Sequence, residues 1–336
     1  MKLLITGASG LLGSKLSELA TRKNYEVYSS YNQHKPHHGT PIQFNVSDRK
    51  TVKKTFKKIK PEAVVHAAAL TNVDKCELEK KLAWKINIEG TRNIAKSCKK
   101  HHAFLVYVST DYVFDGEKGV YKETDKPAPI NHYGITKLKG EETVRNLTHE
   151  YCIARASVIY GSTPATGKIN FALWLLNKLK RKEKAKIVTD QWNSPTLNTN
   201  LANMILEVLE RKLTGIFHLA GATRLNRYEF AKLLAETFSL DKNLITRVSS
   251  KEIKWIAKRL LTQHQQSSSN TQKQTAKNRT SINGNEKGDR TSKSLQVTKL
   301  FNLLCFFFLF QRTRLPFTFF FHKFSQNKLH MFHPIS

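Results

Sequence analysis

A short apolar strand running directly into evenly spaced glycines constrains this chain more than any other feature. Lys2-Leu3-Leu4-Ile5-Thr6 leads into Gly7-Ala8-Ser9-Gly10-Leu11-Leu12-Gly13. Glycines three apart let the backbone turn sharply, approach a pyrophosphate and pack a helix close to a sheet, while the helix N-terminal N–H groups meet the negative charge. A glycine-rich turn alone is weak evidence, and a tight turn without a ligand is its alternative reading. Here a strand precedes it and an apolar helix follows, which is the context a dinucleotide site needs. Gly7, Ser9, Gly10, Leu11, Leu12 and Gly13 are the expected cofactor contacts.

The rest of the chain, to about Arg259, continues the same alternation. Short apolar stretches at 2–6, 25–29, 63–68, 104–109, 152–155 and 216–219 read as strands. Amphipathic patterns near 11–22, 49–59, 79–99, 134–149, 168–182, 200–211 and 227–238 read as helices, the last capped by Asn226 with Glu229 three residues on. Strands alternating with helices predict an α/β fold, a Rossmann-like doubly wound parallel sheet. The expected division is a dinucleotide-binding domain over 1–160 and a smaller substrate-binding part over 161–259, which sends a strand near 216–219 back to the sheet.

A formal charge of +30 raises the question of nucleic acid. The lysines that carry it, such as Lys53, Lys54, Lys57, Lys58 and Lys60, spread over polar helix faces and accompany no nucleic-acid-binding motif. No nucleic acid partner is expected, and the charge favours encounter with anionic substrates and cofactors. Cys76, Cys98, Cys152 and Cys305 are scattered, which argues against a disulfide frame or a thiolate zinc site. His34, His37 and His38 lack a carboxylate companion, so no metal is expected. No apolar run reaches the ~18 residues that span a bilayer, so no membrane association and a cytoplasmic location are expected. The second strand ends without a carboxylate, in Tyr28-Ser29-Ser30-Tyr31, and His34 and Lys35 follow. That pattern suits the 2′-phosphate of NADP better than the bare ribose of NAD, and the cofactor is read as NADP(H) or NAD(H).

Tyr133-Gly134-Ile135-Thr136-Lys137 opens a helical segment. Residues four apart share a helix face, so the ammonium can stand beside the phenol and draw its pKa toward working pH, as acid–base chemistry requires. The pair follows Ser109-Thr110-Asp111 at the end of a buried strand, the edge at which such sheets hold ligands. A surface helix pair is the alternative.

With these features the chain resembles the extended short-chain dehydrogenase/reductases, within them the dTDP-4-dehydrorhamnose reductases. The resemblance covers about residues 1–259. It is carried by the glycine turn, His66 through Asp74, Ile86-Asn87, Ser109 through Gly116, Tyr133 through Glu141, Arg155 and Asp190 through Thr196. It implies reduction of the 4-keto group of a nucleotide-linked deoxysugar. Tyr133 would donate the proton, Lys137 would hold the nicotinamide ribose and tune the phenol, and Thr110 would bond the carbonyl, with Asp111 completing the catalytic set. It adds Asn45, Val46, Ala67, Ala68, Ala69 and Asn87 to the cofactor site. Thr71, Val73, Asp74, Arg155 and Trp192 are its substrate contacts, although a buried ion pair is the alternative for Arg155 and a structural loop for 190–196. Its partner is a nucleotide-sugar substrate, and a homodimer is among the assemblies it allows. Sugar-nucleotide dehydratases place a Glu after the Thr-Asp pair; Tyr112 stands there, which disfavours water elimination.

The resemblance stops where Pro-x-Asp-Ser should follow Arg259. Codons for Pro-Ala-Asp-Ser-Thr-Ser such as CCT GCT GAC TCA ACA TCA become CTG CTG ACT CAA CAT CA on loss of one C, which reads Leu-Leu-Thr-Gln-His, as in Leu260 to His264. Residues 260–336 are therefore expected to be an out-of-frame or disordered tail, polar over 262–299 and Phe-rich beyond. Two rivals remain open: a non-catalytic NADP-binding regulator like that of methionine adenosyltransferase, which resembles the same family, and a different sugar-nucleotide reductase or epimerase. Fold does not decide among them.

Overall fold

Alternation within the strands decides the layering. In β1 (Lys2–Thr6), Leu3 and Ile5 face one side and Leu4 the other, and all three are fully buried. A strand that is apolar on both faces needs a helical layer on each. The computed structural model, which describes residues 1–163 and 169–265, has that arrangement.

The central sheet has seven strands in the order Gly215–His218, Tyr151–Ala156, β5 (Phe104–Thr110), β4 (Ala63–His66), β1, β2 (Glu26–Tyr31) and β3 (Thr40–Gln43). All neighbours run parallel. The chain order reverses beside β1, so a crevice opens at the carboxyl ends of β1 and β4, where doubly wound sheets bind ligands. On one face Ile5, Val65 and Val106 pack with Leu12 and Leu16 of α1 (Leu11–Arg22) and with Leu201 and Ile205 of the helix Asn198–Arg211. On the other, Leu4, Val64 and Leu105 pack with Val52 and Phe56 of α2 (Arg49–Ile59). Burying each such side chain contributes about 1.5–3 kcal/mol.

Local signals fix the helix ends. The Asp48 carboxylate accepts from the N–H groups of Lys50 and Thr51, and Lys60 ends α2 in the left-handed region at φ 50°. Asn226 and Glu229 cap their helix reciprocally, at 2.8 and 3.0 Å.

Elements beyond the expected ones include the paired strands Ala185–Val188 and Ile245–Val248, and two regions near the site differ from expectation. β3 is an edge strand with no apolar alternation and a proline, so its sequence carries no strand signal. The helix expected over 79–99, which α3 (Val73–Leu78) precedes, is broken into α4 (Lys80–Trp84), a π-helical turn at Lys85–Gly90 and α5 (Thr91–His101). Gly90 permits that turn to press on Val46, whose Cγ2 would lie 2.7 Å from an added Cβ. The extra residue of a π-turn re-aims side chains, and here Asn87 is buried.

Order also continues past 259. Leu260 is buried under Gly116, Trp192 N–H donates to the Leu261 carbonyl at 2.7 Å, and Thr262–Gln265 pairs with both Trp192–Asn193 and Val120–Tyr121. Open strand edges and an apolar side chain suffice to seat these six residues. The remainder of the expected tail lies outside the described residues. Met1–Glu236 and the described residues from Leu240 on belong to one compact unit. Among the described residues no helix is long and apolar enough to cross a membrane.

Candidate active site

The glycine turn makes a cradle that side chains would fill. Gly7 sits at φ 70°, and an added Cβ would lie 2.8 Å from Ala68 Cα. At Gly13 the same atom would lie 2.3 Å from the Gly7 carbonyl oxygen, whereas at Gly10 it would meet that oxygen alone, at 3.2 Å. Gly10 is thus hemmed in by that one atom and is less crowded than Gly7 or Gly13. Gly10 caps α1 without a side-chain hydrogen bond, and no acidic residue stands in the first turn. The first N–H groups of the helix are left for an anion from outside. These residues fit the pyrophosphate of a dinucleotide. Ala67, Ala68 and Ala69 follow β4 half-buried beside this turn, and Ala68 N–H donates to Thr6 Oγ1.

The next group comes from α6 (His132–Leu147), capped by Asn131, whose Oδ1 accepts from Gly134 N–H at 2.9 Å. Glycine at 134 and 140 lets the helix approach β5 closely: added Cβ atoms would lie 2.1 Å from the Tyr112 carbonyl oxygen and from Tyr107 Oη. The approach carries Tyr133 to the carboxyl end of β5, where its ring meets Tyr112 edge-on at 5.6 Å. Burial holds the Tyr133 phenol protonated, well above its ordinary range; the Thr110 hydroxyl acts in the opposite sense, and Asp111, Cys76 and Tyr112 add to the rise. The expected proximity of Thr110 to Tyr133 is therefore found, but the expected tuning of the phenol by Lys137 is not. Lys137 donates to the Val108 carbonyl at 2.8 Å and lies 4.1 Å above the Tyr107 ring. Burial lowers its pKa to about 7, against the opposing charge of Glu141.

Asp111 is 2% exposed and accepts from Thr110 Oγ1 at 2.9 Å. Burial raises its carboxyl from 3.8 to about 6, although Ser157, Thr110 and the Arg227 charge favour ionisation. The folded carboxyl keeps its proton where the unfolded one has lost it, so stability falls as pH rises from about 4 to about 6 and then levels. Asp111→Asn cannot titrate. Its stability relative to the wild type should rise across that window, by on the order of 2–3 kcal/mol. Paired thermal melts check this, and a difference independent of pH between about 4 and 7 would rule it out.

The substrate contacts divide. Thr71 is exposed, Val73 and Trp192 are half-buried, and Arg224 covers the Trp192 ring at 4.2 Å. Asp74 accepts from Ala257 N–H and pairs with Arg259 at 2.6 Å, so it ties down the chain's approach to the sheet. Arg155 requires correction. It is 2% exposed, and its Nε and Nη2 donate to the two oxygens of Glu141 at 3.0 and 2.7 Å, with Phe114 against the guanidinium. Ser109 donates to the same carboxylate at 2.6 Å. Arg155 is a buried structural pair rather than an open contact, because α6 delivers Glu141 to it. Val46 likewise turns its side chain into the core, so only its backbone is left for a cofactor, while the exposed Asn45 accepts from Ser47 at Oδ1. Sequence reasoning missed His66, Thr6, Thr91, Thr136 and Arg227. Arg227 brings its charge to Asp111 and Tyr112 from a helix about a hundred residues downstream; no local motif announces it.

Comparison with known proteins agrees with this architecture. A family model, the RmlD substrate binding domain, matches residues 1–282. A probable low-salt glycan biosynthesis reductase of Haloferax volcanii is 33% identical over 248 residues, 73% of this chain and 83% of that protein. Methionine adenosyltransferase 2 subunit beta of Xenopus tropicalis is 30% identical over 74% of this chain and 76% of its own length. Among solved structures, dTDP-4-dehydrorhamnose reductase from Bacillus anthracis in complex with NADP superposes with TM-score 0.75 at 30% identity, covering 91% of this chain and 99% of that one.

Proposed function

This chain belongs to the RmlD substrate binding domain family, and from that premise we propose that it uses NAD(P)H to reduce the 4-keto group of a nucleotide-linked deoxysugar. What supports the reading is Tyr133 beside Thr110 at the carboxyl end of β5, with Lys137 one helical turn on and bonded to the Val108 carbonyl of the same strand, in the same sheet as the strand that leads into the glycine turn. The bound cofactor supplies the hydride. Tyr133 Oη, kept protonated by burial, donates its proton to the sugar carbonyl oxygen, and the Thr110 hydroxyl, turned from Asp111 Oδ1, donates a hydrogen bond to that oxygen. Lys137, whose Nζ reaches the Val108 carbonyl, would hold the nicotinamide ribose of a bound cofactor. The Tyr112 ring, edge-on against Tyr133, supports the phenol ring in place. The exposed His34 and Lys35, after a strand end without a carboxylate, favour NADPH.

Purified protein mixed with NADPH or NADH and several 4-keto nucleotide sugars should oxidise the nicotinamide in step with sugar reduction. The similarity to a methionine adenosyltransferase subunit gives the second outcome its meaning: tight cofactor binding without turnover on any sugar favours a regulatory role.

A further inference from the structure

The register of the central sheet sets Thr6 of β1 beside His66 of β4. His66 is 1% exposed and engaged at both ring nitrogens: Nδ1 lies 2.7 Å from Thr6 Oγ1 and Nε2 lies 3.1 Å from Thr91 Oγ1. The hydrogens on this chain can be assigned one by one. Thr6 Oγ1 already accepts from Ala68 N–H at 3.3 Å, so its own hydrogen is left to donate, with Nδ1 as its acceptor. The Thr91 hydroxyl donates to the Asn87 carbonyl at 2.6 Å, so it has lone pairs to offer Nε2. The ring must therefore accept at Nδ1 and donate at Nε2, the neutral Nε2–H tautomer. A doubly protonated ring would strand the Thr6 hydrogen in the core, at the cost of a buried unpaired donor. Burial and the Lys137 charge press the same way, lowering the His66 pKa to about 3.

The chain does not end at Asn87. Its side-chain oxygen accepts from Leu70 N–H at 2.7 Å, and its amide donates to the Leu70 carbonyl at 3.1 Å and to Thr136 Oγ1 at 3.0 Å. The Thr136 hydroxyl in turn donates to the Tyr133 carbonyl at 2.8 Å. At the other end Ala68 is the residue against which Gly7 packs. A run of directed hydrogen bonds, continued through the covalent frame of Asn87, thus joins Thr6, next to the phosphate turn, to the backbone of the catalytic helix.

We infer that neutral His66 is a positioning residue, locking the glycine turn to the helix of Tyr133 and Lys137 so that the phosphate and nicotinamide ends of one dinucleotide are held in register. The inference rests on the reading of this crevice as an NAD(P)H site. A merely space-filling histidine would be replaceable by any side chain of its size. A registering one is replaceable only by a group that accepts toward Thr6 and donates toward Thr91. Glutamine has that polarity and phenylalanine does not.

NADPH affinity, measured by fluorescence titration well below the melting temperature, separates these roles. His66→Phe should weaken NADPH about tenfold, while His66→Gln stays within about twofold of the wild type. Equal affinity in His66→Phe and the wild type overturns the inference, as does equal loss in both folded variants. Imidazole nitrogen NMR of the unaltered protein tests the same point should His66→Phe not fold: a neutral Nε2–H ring through neutral pH is expected, and an Nδ1–H or titrating ring overturns the assignment. The titration needs no sugar, so a protein that binds NADPH in this way yet reduces nothing refutes the reductase reading and leaves the registering role standing.

Discussion

Tyr133→Phe should lower the rate of sugar reduction by about 10²–10⁴-fold while NADPH binds within about threefold of the wild type. Removing one oxygen leaves the ring in place against Tyr112, and leaves Thr110, Asp111 and Lys137 where they are. What disappears is the proton donor, and a positioned acid–base group contributes a factor of that size. The remaining turnover comes from the placement of carbonyl and hydride donor and from the Thr110 hydrogen bond. Burial keeps the phenol protonated across neutral pH, so the wild-type rate should show no loss of the donor until alkaline pH. Single-turnover oxidation of NADPH, with a parallel binding titration, measures both quantities. An unimpaired Tyr133→Phe enzyme would mean that the proton comes from elsewhere, with Asp111 the nearest alternative acid.

Arg155→Met should destabilise the fold by about 3–5 kcal/mol, because it leaves the Glu141 carboxylate charged and buried without its partner. The pair is 2% exposed on both sides, so water cannot compensate either member. For a domain of this size the melting temperature should drop by roughly 10 °C. Much of that loss should return in the double variant Arg155→Met/Glu141→Leu, which removes both charges together. Ser109, which donates to Glu141, would then lack an acceptor, so recovery stops short of complete. Thermal melts of the two single variants and the double variant form the cycle. If Arg155→Met instead melts like the wild type and raises only the KM for the sugar, the substrate-contact reading of Arg155 is restored.

Individual residues show how far the chain could be read in advance. Gly7, Gly10 and Gly13 were legible because their spacing after a strand has one economical use, and the tertiary contacts of Gly7 and Gly13 add a steric reason. Tyr133 and Lys137 were legible because four residues span one helical turn. Their electrostatics were not: the spacing suggested an ammonium depressing a phenol, whereas burial dominates both groups and Lys137 faces a strand carbonyl. The uninterrupted helix expected over 79–99 failed because its periodicity is continuous, while the π-turn at Lys85–Gly90 answers to Val46, some forty residues upstream. Order in the first residues of the tail, expected to be out-of-frame or disordered from 260 on, has a related cause. Leu260 and Thr262 take structure from Gly116 and Trp192, not from their own neighbours in the chain.

The linear order of residues was enough to establish an alternating α/β chain, a dinucleotide turn at its start and a tyrosine–lysine pair at a strand end. Each of those rests on local geometry, the turn of a helix or the alternation of a strand, which acts over a handful of positions. Tertiary structure alone decided that Arg155 belongs to Glu141, that His66 stands between Thr6 and Thr91, and that Arg227 bears on Asp111. Those partners lie between 14 and 116 positions apart along the chain. Their pairing depends on which elements the sheet order makes adjacent, and on the high cost of burying a polar group alone, a cost that arises only once the fold has excluded water.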